Sequence, residues 1–270
     1  MPWSARAHGI PACNPPFITG DHLAERCCSP HISVGTFKNR PGKHHAGEHM
    51  CTVTPDQKNA ILDEILATRR SYRMFLPVIP TEDDIRRIIH AGLLAPYAAA
   101  AVGGSKDYFR RFFVLKNGSK SMAAVQPLVF RAVNAMATEL DHAMESNPKL
   151  RSQAVAFVDR LALIKKMGKV PGVGTAPYYI VVGEKKGFPP VGQQSLAHCL
   201  ENMWLKAVAL GLGFQLVSIT AQMSDNAEFC KILGIRAGEW ELMGCAVGYP
   251  KDELSPAIRP AVDDVTRWLE

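Results

Sequence analysis

The chain has 270 residues, 47% hydrophobic and 21% charged, enough to bury one large core or two small ones. Its net charge of +6 is spread without long Lys/Arg blocks, which argues against a polyanion-binding face and for a pocket that takes one small anion. No apolar run approaches the roughly 18 residues of a membrane span and no signal-peptide core opens the chain, so the expectation is a cytoplasmic protein with neither membrane nor nucleic-acid partners.

Residues 1–49 hold six of the nine histidines and six prolines, with no sustained helical or strand period. They read as a disordered N-terminal extension, and Met50 offers an alternative start. His45, His49 and Cys51 lack the flanking helix that would support a metal site at that spacing. The seven cysteines include no C-x-x-C pair, and the pattern reads as reduced thiols without a metal or iron–sulfur centre.

A single domain, residues 50–270, follows. A short helix is expected from Asp56 to Ala67. A second, capped by Thr81-Glu-Asp-Asp84, runs to about Ala95 and stops at Pro96. Tyr108 to Leu115 is aromatic and β-branched enough for a strand. Asn117-Gly118 turns the chain into a long helical region, Ser121 to Met167, interrupted near Asn147-Pro148. Ala176 to Gly183 reads as a buried strand. The next helix spans Pro189 to Leu212, its apolar residues following the 3.6 period, and Gly211 closes it as a left-handed cap. Phe214 to Ile219 is a strand, Asp225 to Leu233 a helix, Glu241 to Gly248 a last strand. Pro250 opens a polar tail. This order fits α+β, a central mixed or antiparallel sheet flanked by helices.

The chemistry concentrates at Arg69-Arg70-Ser71-Tyr72-Arg73-Met74-Phe75. Three guanidiniums and a hydroxyl lie within five residues, and guanidinium forks suit a phosphate. A solvated basic helix end is the plain alternative. The Gly172-x-Gly174 and Gly211-x-Gly213 pairs lack the strand–glycine–helix context of a dinucleotide turn. Ser195 has no nucleophile elbow, and His198, Glu201 and Asn202 read as a solvent-facing or subunit-facing stripe. Arg110 and Arg111 read as solvated strand-edge charges.

The order of these signals resembles the nitroreductase family of flavin enzymes. The Arg-Arg-Ser-x-Arg-x-Phe element, Ala-Gly-Leu-Leu-Ala-Pro-Tyr (91–97), the Glu201 to Gly213 helix with its Gly-Leu-Gly exit, and Gly248-Tyr249-Pro250 followed by Arg259 carry the likeness. It covers about Ile61 to Val265.

The resemblance implies an α+β homodimer with a long central interface helix and FMN in clefts between subunits. Arg69, Ser71 and Arg73 would hold the FMN phosphate and the polar edge of the ring, with Arg70 contributing main chain or side chain. Arg259 would close on the phosphate. The Pro96-Tyr97-Ala98-Ala99 loop would pack on the flavin from the partner subunit. Backbone N–H groups of Val217, Ser218 and Ile219 would face its reactive edge, and the 121–167 region would form a lid. The flavin carries the chemistry, so no catalytic side chain is expected. The implied activity is hydride transfer from NADH or NADPH to a nitroaromatic, quinone or similar conjugated small-molecule acceptor by a ping-pong cycle. Dehalogenation or enone reduction on the same fold, and a non-catalytic flavin store or redox sensor, are the rival readings. The chain departs from the family after Pro96: Tyr97 and a run of alanines stand where a small hydroxyl, an Asn and Gln-Pro-Trp are usual, and Ala257 stands where a lysine often precedes the arginine.

Overall fold

The computed structural model describes residues 53–97 and 108–269. The expected extension, residues 1–49, lies outside them, as do Ala98 and Ala99.

Each helix begins where the local chemistry offers a cap. α1, Pro55–Thr68, starts at Thr54 with Gln57 completing a capping box, so two otherwise orphaned backbone donors are satisfied. α2, Glu82–Leu93, is capped by Thr81 and carries Glu82, Asp83 and Asp84 in its first turn, complementing the helix dipole. β1 is Arg110–Lys116. The expected long helical region is an antiparallel-type hairpin of α3, Lys120–Glu145, and α4, Pro148–Met167. The break falls where Asn147 caps Leu150 and Pro148 takes the first helical position, a place where a missing N–H costs nothing.

β2, Tyr178–Lys185, is buried along nearly all its length. α5, Gly192–Ala209, follows, and Gly211 at φ 70° ends it with Leu212 N–H donating back to the Ala207 carbonyl at 2.8 Å. β3 is Gly213–Val217. Here the structure differs from the sequence expectation: Ser218 and Ile219 leave the strand and open a 3-10 helix, Ser218–Met223. α6, Ala227–Leu233, and β4, Trp240–Gly248, complete the core. A four-residue helix α7, Val262–Val265, lies in the exposed tail.

The four strands run β1-β2-β4-β3, and every pairing between them is antiparallel. Alternation along the central strands sends side chains into two separate cores. Tyr179 and Val181 of β2 join Leu242 and Ala246 of β4 beneath α3 and α4. Tyr178, Ile180 and Val182 join Cys245 and Val247 beneath α2 and α5. Helices therefore cover both faces, which explains why β2 reads as an unbroken apolar run. α1 is the exception: none of its residues is buried, and Ile61, Leu62 and Leu66 stand about half exposed.

Candidate functional site

The basic segment leaves α1 in extended form, Arg69 having φ −58° and ψ 124°, and runs beside β3. Ser71 pairs with Phe214 in parallel register, and Tyr72 N–H donates to the Phe214 carbonyl at 3.0 Å. Backbones approach closely there: a Cβ on Gly213 would lie 3.1 Å from that of Tyr72, so the second glycine of the Gly-Leu-Gly exit eases this contact while Gly211, at φ 70°, makes the turn. Further on, Phe75 pairs with Pro250 and Lys251 N–H donates to the Met74 carbonyl at 3.1 Å. The root of the C-terminal tail is thus stitched to the same segment.

The three arginines have different surroundings. Arg69 lies over the Trp204 ring at 4.3 Å and its Nε is 3.4 Å from Glu201 Oε1. Glu201 is therefore an anchor for the guanidinium, and the expected polar stripe on α5 is only partly a free surface. Asn202 likewise donates to the Ala91 carbonyl at 3.3 Å, while His198 is exposed. Arg70 turns back on the protein, donating to the carbonyls of Ala67 at 2.8 Å, Arg69 at 2.7 Å and Ser255 at 3.0 Å. Its own carbonyl accepts from Trp204 Nε1 at 3.2 Å. Arg73 is exposed, and partial burial followed by the like charge of Arg160 on α4 holds its pKa below the usual value. α4 thus carries a second cation near Arg73. Arg259 is exposed and donates only to the neighbouring Ile258 carbonyl at 3.1 Å among the described residues.

At the far end of β3 the chain bends through Val217, Ser218 and Ile219. Thr220 fastens this bend: its Oγ1 is 2.6 Å from the Val217 carbonyl and 2.6 Å from Tyr179 Oη. Tyr179 and Thr220 are both fully buried, and burial pushes the Tyr179 phenol well up. A Cβ at Gly244 would collide with Thr220 Oγ1. Sequence reading missed this buttress, because a Tyr in a buried strand and a Thr after one carry no local mark of each other.

The second miss is larger. Arg110, expected to be a solvated strand-edge charge, is buried at 2% exposure. Its Nε meets Glu184 Oε1 at 2.6 Å, directly across the β1–β2 ladder. Its Nη1 donates to the carbonyls of Gly92 at 2.6 Å and Ala95 at 3.2 Å, and its Nη2 to that of Pro96 at 3.3 Å. Ser195, also buried, donates to the same Pro96 carbonyl at 3.3 Å. Tyr97 stacks on Phe109 at 3.8 Å and donates to the Lys185 carbonyl at 3.3 Å. Burial, and then the Glu184 carboxylate, raise the Tyr97 phenol. Glu184 Oε2 has no partner among the described residues. The 98–99 part of the expected flavin loop lies outside the described residues, so the structure positions only Pro96 and Tyr97 of it. Among the described residues, no group of His, Cys, Asp and Glu could hold a metal ion, and no helix is long and apolar enough to cross a membrane.

With this geometry in hand, comparison with known proteins is informative. A family model described as "Nitroreductase family" matches residues 66–249. No curated protein is close enough in sequence to match. Among solved structures, a nitroreductase from Bacteroides fragilis with bound FMN is 18% identical, with a TM-score of 0.55 over 77% of this chain and 98% of that one. A mutant FMN- and NADPH-dependent nitroreductase from Sphigopyxis sp. strain HMH is 20% identical, with a TM-score of 0.54 over 77% and 98%. An iodotyrosine deiodinase bound to FMN and 3-iodo-L-tyrosine is 18% identical, with a TM-score of 0.54 over 77% and 99%. At these identities the likeness is one of fold.

Proposed function

The chain belongs to the nitroreductase family, and on that footing we propose that it is an FMN-dependent oxidoreductase. It takes hydride from NADH or NADPH and delivers it to a nitroaromatic, quinone or similar conjugated acceptor in a ping-pong cycle, working as a cytoplasmic homodimer. The observation that carries this reading is the pairing of Ser71 with Phe214. It joins the arginine-bearing segment to the strand whose far end is the buttressed Val217–Thr220 bend.

The residues fit the group. Arg69 and Arg73 present cations at one end of this shared edge, with Glu201 the one carboxylate paired to either among the described residues. A phosphate monoester matches that donor set, each charge-assisted bond contributing roughly 1.5–3 kcal/mol. Arg69, Ser71 and Arg73 would hold the phosphate and the polar ring edge. Arg70, committed to carbonyls, would shape the segment and leave direct binding to its neighbours. Arg259 would approach with the tail that Phe75 and Met74 anchor. Pro96 and Tyr97, with Ala98 and Ala99, would reach the flavin of the partner subunit.

When bound, FMN supplies the hydride-accepting ring system. This chain's own part is positional. The backbone N–H groups of Ser218 and Ile219 begin a helical turn and so have no intrahelical acceptor, and Tyr179 with Thr220 keeps that turn from shifting. The α3–α4 hairpin, whose Arg160 approaches Arg73, would exclude water from the open face.

The test is an anaerobic absorption spectrum of purified protein before and after NADH and then NADPH. Flavin bands that bleach with either nucleotide are expected. Colourless protein that also fails to bind added FMN would overturn the assignment. The fold shared with iodotyrosine deiodinase keeps reductive dehalogenation as the second reading; a substrate panel in which only halogenated phenols reoxidise the reduced protein would favour it.

A further inference from the structure

We propose that Arg110 is a positioning residue for the flavin site, acting through the Pro96–Tyr97 segment rather than on the cofactor itself. This rests on the flavin reading above. A helix C-terminus leaves its last carbonyls without intrahelical donors, and at the end of α2 Asn202 meets that of Ala91. The Arg110 fork meets that of Gly92 and, just beyond the helix, those of Ala95 and Pro96 on Nη1 and Nη2, while Nε is held by Glu184. Glu184 stands directly opposite Arg110 in the β1–β2 register. The fork therefore fixes where α2 ends relative to the sheet, and so the direction in which the chain leaves Pro96.

Stability alone does not account for this arrangement. Both side chains are fully buried, and a buried ion pair commonly gives no more stability than an apolar pair of similar volume. What it does impose is orientation, because a planar fork with five donors satisfies carbonyls from three residues in one geometry only. Three further contacts converge on the same segment: Ser195 Oγ on the Pro96 carbonyl, the Tyr97 ring on Phe109, and Tyr97 Oη on the Lys185 carbonyl. The chain holds this segment from behind, through β1 and β2.

The experiment compares wild type with Arg110→Lys, which keeps the charge opposite Glu184 and loses the fork. The readouts are the FMN dissociation constant from fluorescence quenching and the visible circular dichroism of the bound flavin at saturation. A merely structural role would leave the second unchanged in protein that is folded and saturated. Expected are an affinity loss of about tenfold, near 1.4 kcal/mol, and an altered flavin dichroism band. A double variant, Arg110→Met with Glu184→Leu, leaves no lone buried charge and is expected to match the lysine variant in both readouts while keeping its far-ultraviolet spectrum. Wild-type affinity and an unchanged band in Arg110→Lys would overturn the proposal while leaving the flavin site standing. Failure of the wild-type protein to bind FMN would overturn both.

Discussion

At the scale of the residue, charge and burial separate side chains that look alike in the sequence. Arg69, Arg70, Arg73 and Arg110 are chemically identical, yet one stacks on Trp204, one serves carbonyls, one is exposed, and one is buried in an ion pair. Of these four, Arg69 and Arg73 are the ones that the proposed function assigns to the FMN phosphate. Arg73→Ala should therefore weaken FMN binding by one to two decades, at about 1.4 kcal/mol per decade, with the melting temperature of the apoprotein unchanged; isothermal titration reads both the constant and the stoichiometry. Arg70→Ala should act the other way round. It loses bonds to three carbonyls, so thermal denaturation should detect a loss of about 1–2 kcal/mol together with a smaller drop in FMN affinity.

Thiols behave differently. Burial pushes Cys199 up from 9.0 to about 12, with Arg110 opposing and Glu184 adding to the rise, and burial raises Cys245 and Cys230 as well. The unfolded chain ionises these thiols near 9 while the folded chain keeps them protonated. Their contribution is fully present below about pH 9 and is lost as pH climbs toward 12. Urea midpoints measured from pH 8 upward should fall, and Cys199→Ala should flatten that fall even though the variant starts less stable.

At the scale of the element, β3 and the bend after it are the parts on which the proposed chemistry depends. Phe214 and Val217 are buried in opposite cores, so the strand cannot slide without exposing one set. The bend is fixed from below by Thr220, Tyr179 and the bare Cα of Gly244. Gly244→Ala would press a methyl group against Thr220 Oγ1 and the Tyr179 ring, the latter at 2.8 Å. Overpacking of this kind costs about 1–3 kcal/mol, and it displaces the Val217–Thr220 backbone rather than the arginines. The expected result is a lower denaturation midpoint and slower flavin reduction by NAD(P)H in stopped-flow, with the phosphate-driven part of FMN affinity retained. Equal losses in Gly244→Ala and Arg73→Ala would show that the two ends of the site are not separable in this way.

At the scale of the whole molecule, the described residues expose large apolar side chains on α1, on α4 and in the tail, among other places. α1 buries none of its own residues, and Ile258, Val262, Trp268 and Leu269 are 95%, 74%, 88% and 83% exposed. A monomer with a complete core rarely leaves such side chains in water. A second copy is the occupant that the flavin reading calls for, since on that reading its Pro96–Tyr97 segment would reach the partner's site. Sedimentation velocity should give twice the mass of one chain, and Leu62→Glu should shift the population toward monomer and lower FMN occupancy with it. A monomeric wild-type protein that still binds FMN stoichiometrically would remove the shared-site geometry.

Much of this was legible in the residues. The Thr81 cap and the Asn147-Pro148 break were legible because capping and turn chemistry are local, and the α+β order followed from periodicity. The arginine segment was legible because guanidiniums crowded within five residues repel unless something gathers them. Arg110 and Glu184 were not legible, since each sits at a strand terminus, where a charge is ordinarily solvated, and the contact between them spans 74 residues of chain. Thr220 was hidden for the same reason: its partner, Tyr179, lies 41 residues away. What the amino-acid order determined by itself is whatever depends on neighbours within a few residues: helix starts, strand periods, the glycine turns and the anion-seeking cluster. What only the tertiary structure decided is which charges are in water and which are not, because desolvation depends on elements brought together from distant parts of the chain.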